Sequence, residues 1–342
     1  MARKAGGSLR AYVMTRIALS IPMLLILLTF TFIMLRVAPG DPIEASLGPN
    51  VPSEVIQQIK HARGLDRPMY QQYFEYLGQT AHGDFGTSIV REVPVARYIT
   101  QHFPATLELT MYAMLIAVVV GVGVGTIAGR FRDTPIDFGG RLFGIVAYSA
   151  PIFWLGLMLQ LLFSRNLGWL PSGGRIASFM DPRPLHTGLY TIDAIWNGQW
   201  ESLYWALKYL TLPAVTLGLV IGGVFVRLTR VHLLQTLQAD YVEAARARGV
   251  RERWVVYRHA FKNALVPVVT IVGLEFALLL GGAVLTETTF TWPGLGKALV
   301  DNLQLRDYPV VQGIITFFAL LVVGVSLLID VVNAYIDPRI RY

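Results

Sequence analysis

The chain has 342 residues, 54% hydrophobic and only 15% charged, with a formal charge of +7. A soluble domain carries roughly 25% charged residues, so this chain has too little polar surface to cover itself in water, and disorder is excluded on the same ground. With no cysteine there is no disulfide framework, no thiolate nucleophile and no cysteine-ligated metal site.

A bilayer core of about 30 Å takes about 20 apolar residues of helix. The first such run, 17–36, follows a stretch carrying Arg3, Lys4, Arg10 and Arg16. It is longer than the h-region of a secretory signal, about 7–15 residues, and no clear small-residue cleavage site follows. It therefore reads as an uncleaved first span. Residues 37–104 form a long insert. Within it Ser53 is placed to cap a helix whose apolar positions are Val55, Ile56, Ile59 and Ala62, with Gly64 ending it. A second short helix is expected over 68–77, closed by Gly78.

The second span, 105–129, carries Gly121, Gly125 and Gly129 at a spacing that lets helix backbones approach closely. A short polar stretch, 130–141, leads to the third span, 142–164, in which Pro151 permits a kink. Residues 165–206 are rich in Gly, Pro and Trp and read as an irregular loop. Both this loop and the 37–104 insert suit either a docking surface or a packed lid. The fourth span, 207–226, carries Pro213 near its start.

The polar segment 227–263 is the most informative part of the chain. Helix formers run from Asp240 to Gly249, where glycine permits the left-handed turn that ends a helix. Arg246 and Arg248 suit the dipole at that end. A second basic helical stretch returns to the membrane through His259 and Asn263 to Pro267, at the start of the fifth span. This pattern alone supports an amphipathic surface helix, lying on lipid head groups or against a partner protein. The fifth span, 264–286, is interrupted only by Glu275. An acidic residue inside a membrane span is costly and is a functional-site candidate. It could face a transport pathway, pair with a neighbouring helix, or be protonated by burial. Residues 287–309 and the sixth span, 310–329, lead to the tail 330–342.

Lysine and arginine bias orients the spans. With both termini cytoplasmic, segments 1–16, 130–141, 227–263 and 330–342 hold 17 of the 29 basic residues. The longer opposite face, counted as 36–108, 165–209 and 287–309 so as to take in Arg36 and Lys208 at the span ends, holds the other 12. The +7 thus reflects membrane topology, and nucleic acid is not an expected partner.

The segment 240–249 resembles the Glu-Ala-Ala-x3-Gly motif of ATP-binding-cassette importer permeases, through Glu243, Ala244, Ala245 and Gly249, with Pro267 at the family's downstream proline. Further stretches resemble the first permease subunit of the dipeptide, oligopeptide and nickel group. They are Ala38-Pro39-Gly40-Asp41-Pro42, Gly64-Leu65-Asp66-Arg67-Pro68, Gly83-Asp84-Phe85-Gly86-Thr87-Ser88 and Pro104-Ala105-Thr106-Leu107-Glu108-Leu109. Later come Arg258-His259-Ala260, Trp292-Pro293-Gly294-Leu295-Gly296 and Asp337-Pro338-Arg339, so the likeness runs from about residue 12 to the C-terminus.

The resemblance implies an all-α integral membrane protein with six spans, a type I importer permease fold, an extracytoplasmic insert and a cytoplasmic coupling helix. It implies a bacterial or archaeal plasma (inner) membrane, with membrane lipid around the spans. It implies a homologous second permease, two ATP-binding subunits or one as a homodimer, and an extracytoplasmic substrate-binding protein. Asp240, Tyr241, Glu243, Ala244, Ala245, Gly249, His259 and Pro267 are the residues expected to couple to the ATPase. Glu243 would pair with a basic group there, and Ala244 and Ala245 would permit close approach. Glu275 departs from the family, where a polar uncharged residue is commoner.

The chain itself carries no phosphate loop: Thr291 stands where Gly294-Leu295-Gly296-Lys297 would need a leading glycine. ATP and Mg are therefore expected on the partner subunits, with no cofactor, metal or catalytic residue here. Dipeptides or oligopeptides are the expected cargo, with a nickel chelate as the alternative. A secondary transporter using Glu275 would need an internal repeat that is not apparent. An intramembrane enzyme is disfavoured because all six histidines lie outside the spans.

Overall fold

In the computed structural model, the described residues are 9–37, 52–62, 64, 66–177, 179–281 and 283–336. The expected motif stretches 38–42 and 337–339, and Leu65, lie outside them, as do parts of the 1–16, 37–104 and 330–342 segments. The described helices, in chain order, are α1 (Leu9–Val37), α2 (Ser53–Ala62), α3 (Met69–Ala81), α4 (Val95–Arg130), α5 (Pro135–Ser149) and α6 (Ile152–Leu159, continued by a π-helical stretch Gln160–Asn166).

 The series goes on with α7 (Tyr190–Trp196), α8 (Trp200–Leu237), α9 (Asp240–Ala247), α10 (Glu252–Trp254, followed by a π-helical stretch Val255–Ala260), α11 (Phe261–Leu280), α12 (Val284–Thr289), α13 (Leu295–Gln304) and α14 (Tyr308–Ile336). No strand occurs among the described residues.

Five helical stretches are long and apolar enough to cross a membrane: 13–34 within α1, α4, α8, 252–280 and 308–332 within α14. The pair α5 and α6, bent by 103° at their break, makes a sixth among the described residues if the two form one broken span. The third expected span, 142–164, is therefore not one rod with a kink. Ala150 precedes a proline, which disfavours the helical backbone there. Ala150 (ψ 127°) and Pro151 (ψ 128°) are both extended, and two successive extended residues redirect the chain far more than one missing hydrogen bond does. The fifth expected span, 264–286, is helical only to Leu280 and resumes at Val284.

Two local expectations need correction. Ser53 is the first helical residue rather than the cap: the Pro52 carbonyl already accepts from the Val55 and Ile56 amides, at 3.0 and 3.2 Å. Gly78 does not end α3, which runs another turn. The stop comes at Gly83 (φ 75°), where the Gly83 and Asp84 amides return to the Thr80 and Gln79 carbonyls. Gly64 does adopt the left-handed conformation expected of a helix stop (φ 65°).

The chain divides into two compact units, and α4 contributes to both. The first comprises 1–106, 280–284 and 293–342. In it α1 packs lengthwise on α14, and Arg16 meets Asp330 at 3.3 Å. Phe32 of α1 rests on Tyr73 and Tyr76 of α3, and Tyr76 shares a hydrogen bond with Thr316. A core of Val95, Tyr98, Ile99, Leu295, Val310 and Ile314 joins the start of α4 to α13 and α14. Buried Asp307 accepts hydrogen bonds from the Ser88 hydroxyl and from the Ile89 and Val90 amides, which ties the loop after α3 to the start of α14.

The second unit comprises 107–279 and 285–292. Here α4 lies against α8 so closely that a Cβ on Gly121 would sit 2.4 Å from the Phe225 Cβ, and one on Gly125 would sit 2.7 Å from the Val226 carbonyl oxygen. The glycine spacing in the second span is thus a helix-packing device. Gly223 of α8 meets α5 in the same way, 2.7 Å from the Gly144 carbonyl oxygen. Asp137, fully buried at the start of α5, accepts two hydrogen bonds from Arg230 of α8 at 2.6 and 2.7 Å.

Candidate functional site: a short surface helix and a charged cavity

The segment 238–264 folds as a helix, a turn and a returning helix. α9 ends in a Schellman turn: the Val250 amide reaches the Ala245 carbonyl at 3.2 Å and the Gly249 amide reaches the Arg246 carbonyl at 2.9 Å. This closure needs a left-handed residue, and Gly249 supplies it at φ 76°. Two arginines tie the end of α9 down. Arg246 donates to both Glu252 oxygens, at 3.1 and 2.8 Å, and to the Leu237 carbonyl, and Arg248 returns to the Ala244 carbonyl. The hydrogen-bonded Glu252 carboxylate raises the pKa of the Arg246 guanidinium.

One face of α9 is sealed. Val242, Ala245, Leu233, Val255, Val256, Ala260 and Ala264 form a buried cluster, with Leu237 and Val250 against it. Ala245 is buried against the returning helix of its own chain, while Ala244, expected with it to permit close approach, is exposed. The opposite face presents Asp240, Tyr241, Glu243 and Ala244 to the surroundings. No hydrogen bond or ion pair within the described residues engages the Glu243 side chain. Tyr241 accepts from Asn263 at 2.8 Å, which links α9 directly to α11. His259 is half-buried in the π-helical stretch. Pro267 lies inside α11 rather than at its start, where its ring leaves the Asn263 carbonyl without a helical donor. The structure thus places Asp240, Tyr241, Glu243 and Ala244 on the exposed side of one short helix, with Gly249 in the turn that closes it. Ala245, His259 and Pro267 are part of its support.

Glu275 stands apart from that helix. It is half-buried on α11 and lines a cavity of about 920 Å³ together with Arg141, Tyr148, Ser149, Arg227 and Arg230. Neither Glu275 nor Arg227 has a hydrogen bond or ion pair within the described residues. Arg230 and Arg141 are both committed to Asp137.

Sequence reasoning missed a third constellation. Glu108 of α4, 2% exposed, accepts from Arg175 at 3.0 and 2.7 Å and from the Thr191 amide and hydroxyl, both at 2.8 Å. Arg175 also donates to the Gly188 carbonyl and lies 3.8 Å over the Tyr190 ring. The irregular 167–189 loop is thereby stapled to a membrane helix. The signal available was a glutamate in the first turns of an apolar run and an arginine in a loop otherwise rich in Gly and Pro.

Known proteins are similar to this chain over nearly its full length. Residues 121–342 match the family described as binding-protein-dependent transport system inner membrane component, and residues 9–110 match its N-terminal part. The chain is 40% identical, over 97% of its length and 99% of the relative's, to a dipeptide transport system permease protein, DppB, of Alkalihalophilus pseudofirmus. It is 42% identical, over 97% and 99%, to a di/tripeptide transport system permease protein of Pseudomonas aeruginosa. A glutathione transport system permease protein of Salmonella choleraesuis is 38% identical over 97% and 99%.

Proposed function

We propose that this chain, which belongs to the binding-protein-dependent transport system inner membrane components, forms half of the pathway of an ATP-driven importer for dipeptides or short oligopeptides. The observation that carries the cargo is the likeness over nearly the full length of both chains to permeases named for dipeptides and di/tripeptides. No observation favours the nickel-chelate alternative, and the family sets aside the secondary transporter.

In this reading the chain performs no catalysis. A homologous second permease completes the pathway, two ATP-binding subunits hold ATP and Mg, and an extracytoplasmic binding protein delivers the peptide. The protein sits in the inner membrane with both termini, 130–141 and 227–263 in the cytoplasm, and with 37–104, 165–206 and 287–309 outside. α9 is the coupling helix. Its support comes from shape: a short helix, closed by a fixed turn and welded by one face to α8 and α11, moves as a rigid body with the membrane helices. Its free carboxylate at Glu243 is available to a basic group on an ATPase.

The test is a mild-detergent purification of the tagged chain with mass spectrometry of its companions, followed by peptide uptake in vesicles. Recovery of a second permease and one or two phosphate-loop ATPases, with dipeptide uptake that depends on ATP, is expected. A chain that purifies alone as a homo-oligomer at every detergent strength overturns the reading.

A further inference from the structure

Buried acids elsewhere in the second unit are all satisfied. Glu108 has Arg175 and Thr191, Asp137 has Arg230, and Asp193 accepts from the Thr187 and Gly188 amides. Glu275, half-buried on α11, is the exception. An unpaired carboxylate within a membrane-spanning helix carries a desolvation cost and is a functional-site candidate. Arg227, which is exposed, is unpaired as well, whereas the other two arginines of the same cavity are held by Asp137. The cavity therefore offers one unpaired acid and one unpaired base, which do not pair with each other.

We infer that this cavity is a peptide-reading station in which Glu275 takes the α-ammonium group and Arg227 the α-carboxylate of a dipeptide. The inference rests on the dipeptide reading above. A guanidinium is suited to a carboxylate by its fork of donors, and a carboxylate to an ammonium group by charge. Two extended residues span about 7 Å, so a dipeptide has opposite charges at its two ends without bringing them into contact. A cavity of about 920 Å³ accommodates it with side chains of varied size, since small-molecule sites run to roughly 300–1,000 Å³. The Tyr148 and Ser149 hydroxyls, which line the same space, can meet the peptide bond. Recognition of both ends and of neither side chain passes many dipeptides, and it disfavours those whose termini are blocked.

The experiment uses the complete importer in proteoliposomes, with binding protein saturated with alanyl-alanine. Uptake and ATP hydrolysis stimulated by the loaded binding protein are measured for the wild type, Glu275→Gln and Arg227→Gln. Each substitution is expected to lower uptake turnover by about tenfold, the scale of one charge-assisted hydrogen bond, while stimulated ATP hydrolysis persists. Because the chain has no cysteine of its own, Ser149→Cys supplies a single reporter that leaves both charges in place. Alanyl-alanine is expected to slow its labelling by a maleimide, and N-acetyl-alanyl-alanine amide is not. Uptake at the wild-type rate in both variants, a parallel fall of uptake and ATP hydrolysis, or equal protection by the blocked peptide overturns the inference while leaving the dipeptide reading intact. A wild-type importer that takes up no dipeptide overturns both.

Discussion

Removing the Glu108 carboxylate tests whether the 167–189 loop is held by a buried ion pair or merely lies over it. Glu108→Ala takes from Arg175 two hydrogen bonds at 3.0 and 2.7 Å, and from Thr191 two more at 2.8 Å. Arg175 is then left with the Gly188 carbonyl and the Tyr190 ring face, at a site where its side chain is only 9% exposed. Breaking a buried pair by deleting one partner costs about 3–5 kcal/mol, because the remaining charge stays desolvated. Arg175→Met is expected to cost less. Glu108 keeps both Thr191 donors, and the methionine can lie on Tyr190. The double variant Glu108→Leu with Arg175→Met removes both charges and is expected to be more stable than Glu108→Ala alone. Thermal aggregation of the detergent-solubilised chain, followed by size-exclusion chromatography, ranks the variants. Limited trypsinolysis at Arg183 reports whether the loop has come loose. A Glu108→Ala chain with unchanged melting and unchanged cleavage refutes the reasoning, as does a double variant at least as destabilised as the two single variants summed.

Gly121→Val is expected to destabilise the chain by about 1–3 kcal/mol or more through overpacking, since even a Cβ there meets Phe225 at 2.4 Å. Gly123→Val, whose Cβ meets nothing within 4 Å, is the control, and equal melting of the two variants would sink the packing account. Glu243→Lys and Gly249→Pro are expected to leave the subunit in the membrane while ATP hydrolysis no longer drives uptake; the proline cannot adopt φ 76° and loses the bond to Arg246. Full transport by both rules out the coupling role. Asp137→Ala strips Arg230 of its paired bonds at 2.6 and 2.7 Å and is expected to lower the melting temperature more than Asp137→Asn does. The reverse order would refute hydrogen bonding at Asp137 as what holds α5 to α8.

Features with a local cause were legible in the sequence. A span needs a long uncharged run and nothing else, so the apolar stretches stood out. Gly249 was readable because a helix that must stop and turn back needs a left-handed residue, and Gly121, Gly125 and Gly129 because their spacing is that of one helix face. Features fixed by distant partners were not legible. Glu108 and Arg175 are far apart in the chain, and no periodicity links them. Ala245 looked like one of a pair of equivalent alanines, and only the tertiary position of α10 and α11 separates it, buried, from exposed Ala244. Pro151 announced a kink, but the 103° turn depended on Ala150 also being extended. Gly78 failed as a stop because a glycine in an otherwise favourable helix costs about 1 kcal/mol, less than the further turn of α3 returns.

The motif stretches that carry the family likeness include several that are fasteners. Ser88 is bound to Asp307, Thr106 accepts from the Leu295 amide at 2.8 Å, Glu108 holds Arg175, and Trp292 is fully buried. None of these four side chains lies in the cavity with Glu275 or on the exposed face of α9. Their chemistry is that of holding loops and helix ends in one geometry, which every permease of this shape needs whatever it carries. A sequence signature built from such residues identifies the scaffold and stays silent on the cargo. The residues that would distinguish one cargo from another belong to the cavity wall, where Glu275 and Arg227 leave their charges unmatched. If the wall reads cargo, exchanging it between two members of the family should move uptake preference while leaving melting behaviour in place. Exchanging the fasteners should do the opposite.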